Sequence, residues 1–129
     1  MGKDNHGLTP AEWQVMECLW EHAPRTGRET ADWLAARVGW NRSTSLTLLR
    51  RLEAKGAVVS GGSSGIKTFR PAVDRDDAAV RETEDLLDRV YRGSVSMLVS
   101  ALTRKQSVSK AELQQLHAML EELEANAHD

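Results

Sequence analysis

Several residue types are scarce in this chain, and each scarcity excludes something. Cys18 is the one cysteine, so no internal disulfide can form, and a reducing cytoplasm is the expected compartment. No apolar run approaches the roughly 20 residues that a membrane-spanning helix needs, which argues against membrane insertion. Residues 1–7 are polar and lack the apolar stretch of a secretory signal. The histidines (His6, His22, His117 and His128) are scattered. Only His117 and Glu121 share a ligand-like spacing, and on an exposed helix that is ordinary surface, so no metal site is expected. There is no nucleophile elbow and no metalloprotease motif, and the run Gly61-Gly62-Ser63-Ser64-Gly65 lacks the Lys-Ser/Thr pair of a phosphate loop. The chain is therefore expected to be no enzyme and to hold no cofactor. Aromatic residues amount to 5%, but four are tryptophans (Trp13, Trp20, Trp33 and Trp40), all in the first third, where the better-packed core is expected.

A surplus of one charge is also missing. The net charge is −2, which alone argues against a nucleic-acid partner. The distribution reverses that impression: residues 1–73 carry ten Lys/Arg and seven Asp/Glu, whereas residues 74–129 carry seven and twelve. Within 37–70, seven basic residues (Arg37, Arg42, Arg50, Arg51, Lys55, Lys67 and Arg70) stand against one acid, Glu53. Such a local excess is what a phosphate-binding face requires, although a solvated basic surface has the same signature.

What is present reads as helix, helix, helix, hairpin. Thr9, Pro10 and Glu12 form a capping box with proline at the first helical position, and Leu8 and Trp13 are placed as a hydrophobic staple. Trp13, Met16, Leu19 and Trp20 then share a face, with Val15 on its flank. A second helix opens at Thr26 with Glu29, buries Ala31, Leu34, Ala35 and Val38, and ends at Gly39. A third is expected from Arg42 to Lys55, with Leu48, Leu49 and Leu52 inward, Ser45 one turn earlier, and Gly56 as its left-handed cap. Residues 57–60 read as a strand, 61–65 as a flexible hairpin tip, and 66–70 as the returning strand, stopped by Pro71. That order is a winged helix-turn-helix over residues 1–73.

Residues 74–129 read as three thinner helices: Asp74 to about Arg92, Ser94 to about Thr103, and one opening at Ser109 with Glu112 and a Val108–Leu113 staple. Gly93 breaks the first of these. Candidate dimerisation residues are Leu86, Leu87, Val90, Val95, Leu98, Val99 and Leu102, followed by Leu113, Leu116, Leu120 and Leu123 at coiled-coil steps. Helices this thin need a second copy to bury their apolar faces, or else pack back on the winged part. The fold class is thus mainly α with a small β-hairpin wing, plus a C-terminal helical dimerisation region.

A winged helix-turn-helix lays its third helix in the major groove. With the leucines inward, the opposite face shows Ser43, Thr44, Thr47, Arg50 and Arg51, joined at the start by Arg42. Hydroxyls of this length reach base edges or phosphates, and arginine takes guanine bidentately or a phosphate. Leu46 falls between the faces, within reach of a thymine methyl. In the wing, Ser63, Ser64, Lys67 and Arg70 are candidates for phosphate or minor-groove contact.

The chain resembles the BlaI/MecI/CopY repressors of bacteria. The resemblance is carried by Leu8-Thr9-Pro10-Ala11-Glu12-Trp13-Gln14-Val15-Met16, by Leu19-Trp20 and Trp40, by the run Thr44 to Gly56, by Phe69-Arg70-Pro71-Ala72-Val73, and by Arg89 to Ser94 leading into Leu98-Val99. It implies a homodimer on a short inverted repeat of double-stranded DNA, often reading TACA and TGTA, with base-reading positions at Ser43, Thr44 and Thr47. The family's usual proline and lysine before the threonine are Arg42 and Ser43 here, and a usual lysine is Leu46, which leaves the operator sequence open. In some members a membrane sensor's protease pathway lifts repression by a cut in the dimerisation helices, which would fall near Ser100-Ala101; the family's Asn-Phe pair is absent here. Copper-responsive members carry paired C-x-C motifs, and this sequence has none. Two alternatives stay open from the residues alone: a winged domain used for protein contacts, and a ligand-responsive regulator.

Overall fold

The computed structural model describes residues 7–104 and 108–127; His6 and His128 lie outside them. The element order is α1 (Pro10–Glu21), β1 (Arg25–Thr26), α2 (Gly27–Val38), α3 (Arg42–Lys55), β2 (Val58–Gly61), β3 (Thr68–Pro71), α4 (Arg75–Tyr91), α5 (Val95–Arg104) and α6 (Lys110–Ala125). This is the expected mainly α fold with a hairpin wing. Among the described residues no helix is long and apolar enough to cross a membrane.

Helix ends follow from local chemistry. In α1 the Thr9 side chain accepts from Glu12 N while Thr9 N donates to Glu12 Oε1, and Thr26 and Glu29 repeat the arrangement at α2. Each box satisfies two of the amides that a helix start leaves without partners. At α6 only half of it forms, with Glu112 N donating to Ser109 Oγ. Gly39 and Gly56 close α2 and α3 at φ of 77° and 87°, where a side chain is disfavoured.

The chain divides into two compact units, residues 1–83 and 84–129. In the first, α1, α2 and α3 enclose Val15, Met16, Leu19, Leu34, Leu49 and Leu52, and the sheet closes the core with Val58 and Phe69. Leu8 is buried, and Trp13 packs against the same core cluster. Two expected stripes are rotated. Val15 and Cys18 are fully buried in α1, while Trp13 and Trp20 are half-buried at its rim with their indoles in an edge-to-face contact at 5.0 Å. In α2, Thr30 takes the buried place expected for Ala35, which is exposed; Thr30 Oγ1 donates to Thr26 O at 2.9 Å, so its hydroxyl is satisfied inside the core.

The sheet has three strands, ordered β1-β3-β2 and antiparallel throughout. β1 pairs Arg25 with Phe69 and Thr26 with Thr68, and was not expected. The returning strand starts later than the alternation suggests. Ile66 N donates to Ser63 O in a tight turn, with Ser64 and Gly65 at φ of 57° and 77°. Ile66 is spent on that turn and stands exposed, so β3 begins at Thr68.

A buried ion pair ties the start of α1 to the end of α3. Glu12 is fully buried, and its Oε1 accepts from Lys55 Nζ, which also donates to Gly7 O at 2.8 Å. Burial pushes the Glu12 carboxyl up, but the bonds from Lys55 and Thr9 outweigh it and leave the pKa below its ordinary value. The first unit also takes in the beginning of α4. Ala78 is buried, Arg75 grips Glu17 through two bonds at 3.0 and 2.9 Å, and Leu8 N donates to Glu82 Oε2.

The second unit comprises the rest of α4 with α5 and α6. α4 ends where Arg92 and Gly93 both turn left-handed and Gly93 N donates to Leu87 O. No described residue of α5 or α6 is buried.

Candidate nucleic-acid interface

α3 is framed at both ends. Asn41 Oδ1 accepts from Thr44 N at 2.8 Å, and Gly56 terminates the helix. Ser45, Leu48, Leu49 and Leu52 are buried, so the helical period leaves Ser43, Thr47, Arg50 and Ala54 in one exposed row. Thr44 and Arg51 lie on the flank towards α1. There Ser43, Thr44, Thr47 and Arg51 share a shallow groove with Ala11 and Trp40. Ala11, Trp40 and Ala54 are not among the DNA-contact candidates expected from sequence. Ala54 reads as filler in a helix, and the other two reach the groove only through tertiary packing.

Leu46 is half-buried and lies against the start of α2. A Cβ on Gly27 would meet its Cδ2 at 3.1 Å, so the glycine permits the close approach of the two helices.

Ion pairing sorts the seven cations of the basic stretch. Arg37 pairs with Glu21, Lys55 with Glu12 and Lys67 with Glu53. Arg42, Arg50, Arg51 and Arg70 are exposed and form no ion pair among the described residues. An uncompensated guanidinium is free to meet an external anion, whereas a paired one must first leave its partner. The α3 surface therefore offers three unspent arginines beside three short hydroxyls.

In the wing, Ser63 and Ser64 are exposed at the tip, and Arg70 lies on β3 opposite Val59 with its guanidinium towards Gly61. Lys67 is held near α3 by Glu53 and lies 5.2 Å above the Phe69 ring.

Elsewhere the titratable groups serve the scaffold. Glu17 is held below its ordinary pKa by the Arg75 bonds, against a smaller upward push from burial. Burial drives the Cys18 thiol up to about 11, which keeps it protonated and unreactive at neutral pH. Among the described residues no group of three or more His, Cys, Asp or Glu side chains is placed to hold a metal ion.

The model of the penicillinase repressor family matches residues 8–122. The chain belongs to that family of winged-helix transcriptional repressors. It is 27% identical to a penicillinase repressor of Bacillus licheniformis over 89% of this chain and 90% of the relative. It is 23% identical to the methicillin resistance regulatory protein MecI of Staphylococcus aureus over 93% and 98% respectively. The solution structure of the DNA binding domain of the repressor BlaI matches 59% of this chain and 93% of that domain, at a TM-score of 0.52 and 28% identity.

In the second unit, Leu86, Val90, Val95, Val99, Leu102, Leu113, Leu116, Leu120 and Leu123 are exposed, and Leu87 and Leu98 half-buried. Met119, 59% exposed beside the α6 leucines, belongs to the same apolar surface and was not singled out from sequence. Ser100 is exposed and Ala101 half-buried, both within continuous α5.

Proposed function

We propose that this repressor acts as a homodimer on an inverted-repeat operator in double-stranded DNA. The observation that carries the reading is the exposed face of α3, where three arginines with no carboxylate partner among the described residues flank three hydroxyls with no hydrogen bond there. In this reading α3 enters the major groove. Ser43, Thr44 and Thr47 reach base edges, and Leu46 approaches a thymine methyl from the flank. Arg42, Arg50 and Arg51 take guanine or phosphate, and Ser63, Ser64, Lys67 and Arg70 meet the neighbouring backbone or minor groove. Residues 1–73 bind DNA, and residues 74–129 join two copies through Leu86, Leu87, Val90, Val95, Leu98, Val99 and Leu102 with the α6 leucines. The exposed leucines of the second unit support this, because apolar surface on that scale marks an interface.

Repression in this reading is lifted by a signal of which proteolysis in the dimerisation helices is one form and a bound ligand another. For a membrane sensor's protease pathway, the cut belongs at Ser100-Ala101, where severing α5 divides the apolar surface. Mass spectrometry of the chain from induced cells checks this, and an intact α5 after derepression removes the protease route.

The test of the central reading is fluorescence anisotropy of the full chain against its own upstream duplex and a scrambled one, at two salt concentrations. The expected result is at least a ~10³-fold preference for the upstream duplex, weakening as salt rises. Absence of binding to either duplex at low salt overturns it.

A further inference from the structure

Glu53, the lone acid of the basic stretch 37–70, stands where α3 meets the wing. Its two oxygens reach both arms of the hairpin. Ser60 Oγ on β2 donates to Oε2 at 2.6 Å, and Lys67 Nζ, just before β3, lies 3.5 Å from Oε1. The Ser60 bond, with the Lys67 charge, holds the carboxyl below its ordinary pKa. The two links differ in kind. The Ser60 bond is short and needs only an acceptor oxygen. The Lys67 pair is long, and the lysine is 60% exposed, so water and other anions reach it. The wing's other cation, Arg70, has no carboxylate partner among the described residues.

We propose that Glu53 is a positioning residue that holds Lys67 and the wing against α3 in the free protein, and that an operator phosphate takes Lys67 from it on binding. The inference rests on the DNA-binding reading above. Lys67 and Glu53 together carry no net charge, and when a phosphate takes the lysine, the carboxylate left beside the polyanion retains a cation, so the pair gives no net counterion release in the native chain. Lys67 therefore contributes less to binding than Arg70, and Glu53 sets how much.

Glu53→Gln separates the two roles. The amide oxygen still accepts from Ser60, so the wing keeps its tether, but Lys67 loses its competitor. The expected result is tighter binding of the upstream duplex. The plot of log affinity against log salt should steepen by roughly 0.9 per protomer, or about two for a dimer using both wings. A carboxylate that acted only by repelling DNA through space would produce the same gain with Lys67 removed. Glu53→Gln is therefore also made in a Lys67→Gln background, where the gain is expected to vanish. Asp32→Asn, which removes an exposed acid of α2, is expected to leave the slope unchanged. An unchanged slope in Glu53→Gln, or an equal gain in both backgrounds, overturns the proposal while leaving the DNA-binding reading intact. A wild-type chain that binds neither duplex takes both down.

Discussion

The two units of this chain spend their apolar residues in opposite ways. In the first, leucines from three helices meet one another and leave the solvent almost completely. In the second, leucines of comparable number and regular spacing remain in water, with Leu123 still 65% exposed. Both units are helical, so helix formation does not distinguish them. The first unit supplies its own partner surfaces, because three helices and a sheet fold back within some sixty residues. The second supplies stripes without a facing wall, and an amphipathic helix gains most of its stability from such a wall. The first unit covers its own apolar core; the second leaves its apolar stripes to the partner copy proposed above.

Placing a charge on the bare surface should give the largest effect. Leu120→Asp is expected to raise the dimer dissociation constant by about a hundredfold or more, since each copy loses a leucine contact of roughly 1.5–3 kcal/mol. Sedimentation equilibrium checks it, and an unshifted dimer would break the contrast between the units. In the first unit Leu49→Ala is expected to cost ~2–5 kcal/mol by opening a cavity, with a urea midpoint that ignores protein concentration. The corresponding loss in Leu120→Ala should depend on concentration.

The Glu12–Lys55 pair tests whether the first unit's core tolerates a lone charge. Lys55→Met leaves a fully buried carboxylate without its cation and is expected to cost about 3 kcal/mol at neutral pH. Its pH dependence should also change sign. The wild-type carboxyl is held below its ordinary value, so its stabilisation is complete above the unfolded pKa and is lost as pH falls through the folded one. In Lys55→Met burial is opposed only by the Thr9 bonds, and acid should relieve the strain by protonating Glu12. Urea unfolding between neutral pH and the carboxylate range reads both slopes.

Arg50→Gln is a milder probe. It should leave thermal unfolding unchanged and weaken operator binding about tenfold, in line with ~1–3 kcal/mol for a bidentate contact. A loss of stability instead would mean that the α3 face belongs to the scaffold. The smallest expected effect is none: Cys18 in the native chain should resist a thiol alkylating agent at pH 7.5, and rapid labelling would show that the core opens readily.

Legibility in the sequence tracked locality. The bounds of α3 were readable because Gly39, Asn41 and Gly56 act within one turn of their own positions. β1 was not, because two residues become a strand only through Phe69 and Thr68, more than forty positions away. The rotation of the α2 stripe escaped because a threonine counts as polar until its hydroxyl is known to bond Thr26 O. The exposed hydroxyls and arginines of α3 were visible as the face opposite its leucines. Which cations are already taken was not, since Glu12 finds Lys55 from forty-three residues away. Net charge over a stretch says nothing about who pairs with whom.

One property of the α3 face reaches beyond binding. The side chains of Ser43, Thr44, Thr47 and Arg50 make no hydrogen bond or ion pair within the described chain. Exchanging them therefore carries little penalty for folding, and a duplicated copy of this repressor can drift to a new operator without first acquiring compensating changes in its scaffold. Under the proposed reading, the positions that meet DNA are not the positions that hold the fold together.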